Sequence, residues 1–182
     1  MIPELFAQGC HVAALSAANT DNAGESVAWA LSMLEAGCDE MDVIILAGEM
    51  PPHHWTELQP LVRAAAQSVG IQFPETGQEI ERYAALPLVL NLAGSSQEIS
   101  AMTLFQLEQL CIAFGSFGSF GSFGETSGFR MLWDKYYCLL EQEDLYYRDK
   151  QALRAAHQTV RQEAISWISE HFPQHHCALL HG

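Results

Sequence analysis

An all-α fold, a single compact bundle of about seven helices, is what this sequence predicts. Three observations carry that expectation. Apolar residues recur at i, i+3 or i+4 and i+7 in most segments, which is the spacing of one helix face. Several of these segments open on a capping residue followed three positions later by Glu, and close on Gly. No segment alternates apolar and polar residues convincingly enough to read as a half-buried strand. The 182 residues are read as one helical domain over 1–182, with a low-complexity loop at 113–126 and a loose tail at 174–182.

Taken in order, Pro3 suits the first turn of a short opening helix that turns Leu5, Phe6 and Val12 inward. In "DNAGESVAWALSMLEAG", Asn22 and Glu25 have capping-box spacing, and Val27, Leu31 and Leu34 form the apolar stripe. Gly37 supplies a left-handed stop. "DEMDVIILAG" fits a strand by composition, but Asp39 as a cap and Gly48 as a stop favour a short buried helix. "ELQPLVRAAAQSVG" sets Leu58, Leu61, Val62, Ala65 and Val69 on one face, with Pro60 in a first turn and Gly70 at the end. Thr76 and Glu79 form a second capping box, and the helix they open is expected to break or kink near Pro87. A further helix opens at Ser95 and Glu98 and carries Leu104, Leu107, Cys111 and Phe114. Beyond the glycine tract, Phe129, Leu132, Trp133, Tyr136, Tyr137 and Leu140 repeat at helical spacing. A last long helix, roughly Lys150 to His171, turns Leu153, Val160, Ala164, Trp167 and Ile168 inward and ends before Pro173.

Charge narrows the function classes. With 22 acids against 8 bases the net charge is −14, and no Lys or Arg occurs from Met1 to Val62. Such a field repels phosphate backbones and anionic lipid surfaces, so neither a nucleic acid nor a membrane is an expected partner. A basic protein is. The five cysteines are dispersed, odd in number and without CxxC spacing, which argues against a disulfide framework and a structural zinc site. The opening residues carry no basic n-region, and no run reaches the ~18 apolar residues of a membrane span. A cytoplasmic location is expected.

The tract "AFGSFGSFGSFGET" places Gly115, Gly118, Gly121 and Gly124 every third residue. A dinucleotide turn needs G-x-G-x-x-G between strand and helix, and a P-loop needs a following Lys, so a phosphate cradle is not supported. A lengthened connector accounts for the tract. Four exposed phenylalanines would make a self-associating arm instead.

No catalytic set stands out. Asp39, Glu40 and Asp42 lack calcium-loop spacing and would ordinarily be read as first-turn acids favoured by the helix dipole. His53, His54 and Glu57 form neither HExxH nor a paired ExxH motif. His171, His175, His176 and Cys177 have no tetrahedral zinc spacing. His157, on an apolar stripe, fits a hydrogen-bonded core histidine. Tyr146, Tyr147 and Arg148 have the composition of interface hot spots.

The stretch Ala28 to Ile71 resembles a group of small all-helical bacterial proteins of unknown function. The residues that carry the resemblance are Leu34, Gly37, Leu46, Ala47, Gly48, Leu61, Gly70 and Ile71. It implies an all-helical fold and transfers no catalytic residue.

The expectation is therefore a non-enzymatic acidic binding protein, of the immunity or inhibitor kind, that masks a basic protein partner and uses no cofactor or metal. Its partner-binding residues would be Glu35, Asp39, Glu40, Asp42 and Glu49, with Tyr146, Tyr147 and Arg148. Two alternatives stay open. One is a metal-dependent enzyme or metal-binding protein using His53, His54 and nearby acids. The other is a self-associating structural module built on Phe117 and Phe120.

Overall fold

The computed structural model describes residues 2–52, 54–94, 101–115 and 150–181. Among them it is all helical, with eight helices and no strand: α1 (Pro3–Ala17), α2 (Ala23–Glu35), α3 (Met41–Ala47), α4 (Trp55–Ser68), α5 (Gly77–Gly94), α6 (Ala101–Gly115), α7 (Lys150–His171) and α8 (His176–His181). The chain divides into two compact units, Met1–Pro87 and Leu88–Gly182, and α5 runs across the division. No helix among the described residues is long and apolar enough to cross a membrane.

In the first unit, α1 packs on α2 and α4, and α3 packs on α2 and α4. Three helix ends share one device. α1 ends with Asn19 at φ 56°, α2 with Gly37 at 88° and α4 with Gly70 at 82°. At each, the amide two residues past the cap bonds the carbonyl five back: Thr20 to Leu15 at 3.0 Å, Cys38 to Met33 at 3.0 Å, Ile71 to Ala66 at 2.9 Å. These are Schellman turns, which satisfy carbonyls the helix leaves open. The third also delivers Ile71, 1 % exposed, into the core.

That core joins Phe6, Cys10, Trp29, Met33, Val43, Leu46, Leu58 and Val62 to a set of fully buried alanines, among them Ala13, Ala14, Ala30 and Ala65. Small residues let α1 and α2 approach closely. A β-carbon at Gly9 would stand 2.5 Å from Ile71 Cδ1 and 2.7 Å from Trp29 Cζ2. Gly9→Ala is therefore expected to lower stability by about 1–2 kcal/mol, because overpacking outweighs the gain in helix propensity. Thermal unfolding of the single variant checks it. Polar ties hold α2 and α4 to α1: Trp29 Nε1 donates to the Leu5 carbonyl at 3.0 Å, and Gln59 Nε2 to the Ser16 carbonyl at 2.8 Å. His11 Nδ1 lies 2.9 Å from the Ala84 carbonyl, joining α1 to α5.

Several local expectations change. Leu31 is exposed, and the buried face of α2 is Ala23, Ser26, Val27, Trp29, Ala30 and Met33. Asn22 makes no side-chain cap; buried, it donates from Nδ2 to the Val12 carbonyl at 2.9 Å. The α3 cap position is held by Glu40 rather than Asp39, and no side chain bonds there. Pro60 lies inside α4 instead of in its first turn, and α5 runs through Pro87 without ending. Packing of both helices offsets the amide bond each proline removes.

The Thr76/Glu79 box forms as expected. The Glu79 carboxylate accepts from the Glu75 and Thr76 amides at 2.8 and 3.0 Å, and Thr76 Oγ1 accepts from the Glu79 amide at 3.2 Å. The Glu75 amide first, then the Thr76 amide, hold the Glu79 carboxyl below its ordinary 4.5. A depressed folded pKa stabilises above the unfolded value and is lost as pH falls through the folded one. Glu79→Gln is thus expected to cost about 0.5–1 kcal/mol at neutral pH. That deficit should shrink as the pH drops below 4.5, read by urea denaturation across pH.

In the second unit, Leu104, Leu107, Val160, Ala164 and Ile168 are fully buried, as their spacing implies. Trp167 packs edge-on against His171 at 4.8 Å and lies 5.8 Å from Phe172. The C-terminal segment carries α8, and Leu179 within it is buried, so this tail has an apolar anchor. The stretch 129–140 lies outside the described residues, as do Ser95 and Glu98.

Candidate protein-interaction site

The α2–α3 connection gathers the acids. Glu35 is the last residue of α2, and the Schellman turn at Gly37 reverses the chain so that Asp39 and Glu40 follow within one short link. Asp42 sits in the first turn of α3, and Glu49 lies just past its cap, Gly48. Glu35, Asp39 and Glu40 are exposed, while Asp42 and Glu49 are half-buried. None of the five carboxylates makes a hydrogen bond or an ion pair among the described residues.

Their positions are not accounted for by helix stability. Neither Asp39 nor Glu40 caps α3 through its side chain. Glu35 stands in the last turn of α2, where no basic residue accompanies it and the helix dipole disfavours an anion. Nor does the first cation of the chain reach them. The Arg63 guanidinium lies over the Phe73 ring, 4.2 Å from its centroid. Glu35, Asp39 and Glu40 are thus open to solvent, and none of the five acids is paired with a cation among the described residues.

The same edge exposes apolar side chains, although periodicity turns Leu31 inward and the sequence predicts a short buried helix at α3. α3 buries only Val43 and Leu46, leaving Met41 66 %, Ile44 42 % and Ile45 45 % exposed. Leu31 on α2 is 46 % exposed, and Met50 beyond α3 is 79 % exposed. A helix of this length turns only one face to its neighbours. "MDVIILA" carries more apolar residues than that face holds, which was the available sign.

Other sequence-derived candidates fare differently. Tyr146, Tyr147, Arg148 and His53 lie outside the described residues, as does the glycine tract beyond Gly115 with Phe117 and Phe120. His54 lines a hollow of about 180 Å³ with Glu49, Met50, Glu57 and Leu58. Among the described residues, no three His, Cys, Asp or Glu side chains are grouped to hold a metal ion. His157 is half-buried. Burial pushes the Cys10 thiol far up, so it is not a nucleophile. A larger cleft of about 580 Å³ is lined by Gln67, Gln72, Phe73, Glu75, Glu79 and Tyr83, among others. Burial, with smaller contributions from Cys10 and Glu79, raises the Tyr83 phenol to about 12, so it stays protonated at neutral pH. The cleft thus has carboxylates and a neutral phenol, without a base–nucleophile pair.

Comparison with known protein families, curated proteins and solved structures returns no match, so what this chain does is argued from its own residues.

Proposed function

We propose that this chain is a non-enzymatic binding protein whose α2–α3 edge docks a basic protein and masks it, in the manner of immunity or inhibitor proteins. The observation that carries the reading is the set of carboxylates at Glu35, Asp39, Glu40, Asp42 and Glu49, unpaired among the described residues and in a stretch without Lys or Arg. Unpaired charges of one sign steer a cationic partner and raise its association rate. They also cost self-repulsion, which a purely structural surface would gain by relieving.

Association with a partner should be salt-sensitive. Capture at roughly 50 mM salt should be lost by roughly 500 mM, where the screening length falls to about a third. Retention of the same partner at both concentrations would remove the electrostatic reading. Recovery of acidic or neutral proteins alone would do so equally.

A further inference from the structure

The acids explain steering, but they do not explain why apolar side chains stand among them. On α3, Met41, Ile44 and Ile45 fall at i, i+3 and i+4 and form a stripe on the face opposite Val43 and Leu46. Glu40 stands immediately before the stripe and Glu49 immediately after Gly48, so a carboxylate brackets each end. Met50, just past α3, and Leu31, on the neighbouring α2, are exposed as well. An apolar centre with a charged rim is the anatomy of an interface, in which the centre supplies the affinity and the rim the orientation.

Resting on the docking role proposed above, we infer that the α3 stripe is the anchor of that interface. Its occupant is an amphipathic helix of the partner whose apolar face has Lys or Arg at each end. Charge decides between occupants. A second copy of this chain would bring Glu40 and Glu49 against their own equivalents, in a molecule of net charge −14. An anionic lipid surface would meet the same repulsion. A cationic helix alone pairs both parts of the surface, with apolar ridges on the stripe and ammonium or guanidinium groups at its ends.

The test uses two fluorescein-labelled peptides of one composition, about five turns of Leu and Lys. In one, the leucines share a face with lysines at each end of it; in the other, they are dispersed around the helix. The full chain should bind the amphipathic peptide at least about tenfold more tightly, and Ile44→Ser/Ile45→Ser should abolish that difference while leaving the weaker, salt-dependent binding of the dispersed peptide unchanged. Both isoleucines are exposed, so helical circular dichroism should not change; should it change, Met41→Ser serves as the replacement and should reduce the preference. Equal affinity for the two peptides would overturn this inference and leave the electrostatic docking role standing. Binding of neither peptide at low salt would overturn both. A wild-type dimer that the serine variant turns into a monomer, with peptide binding unaltered, would assign the stripe to a second copy and overturn the inference.

Discussion

Trp29→Ala is expected to destabilise the first unit by about 3–5 kcal/mol, a large part of the 5–15 kcal/mol that holds a typical domain together. Trp29 is 3 % exposed on the face of α2 that meets α1. Its ring lies against the one α1 position, Gly9, where a β-carbon has no room, and its Nε1 donates to the Leu5 carbonyl. Truncation opens a cavity beside Gly9, which has no side chain to refill it. Trp29→Phe keeps a ring in place but forfeits the hydrogen bond, and should cost about 1–2 kcal/mol. The atoms nearest a Gly9 β-carbon, apart from Ile71 Cδ1, belong to the indole, so Gly9→Ala should be less damaging in the phenylalanine background. Urea unfolding of the two single variants and the double variant measures that coupling. Strict additivity would mean that the α1–α2 approach is not set by this pair.

The second large effect is on binding, without loss of stability. Glu35→Gln, Asp39→Asn, Glu40→Gln and Asp42→Asn together should slow association with a cationic partner by about 10–100-fold at low salt. The same variant should unfold no earlier than the wild type. None of these carboxylates has a partner among the described residues, so removing their charge breaks nothing and relieves mutual repulsion. This opposition distinguishes a docking edge from a structural one. If the acids were structural, stability would fall along with any change in binding.

Much of the fold was legible because local chemistry determines it. Gly37 and Gly70 end their helices by adopting the left-handed conformation, and Thr76 with Glu79 closes a capping box in both directions. Val160, Ala164, Trp167 and Ile168 share a face through period alone. The readings that changed depended on tertiary contacts. The face of α2 follows the small residues that permit a close approach to α1, so Ala30 is buried where Leu31 is not. Asn22 reaches the Val12 carbonyl on α1, a tertiary bond that capping-box spacing does not register. Pro60 and Pro87 are accommodated inside helices because the faces around them are packed. The positions of the acids could be read directly. That Arg63 turns to Phe73, and that α3 shows three apolar side chains to solvent, could not.

Affinity capture with the wild-type chain and the fourfold amide variant, side by side, decides whether the α2–α3 edge recognises a partner by charge. A basic protein should be retained by the wild type at roughly 50 mM salt, released by roughly 500 mM and absent from the variant. A partner held equally by both chains, or one that ignores the salt, would contradict the claim that these open carboxylates do the recognising.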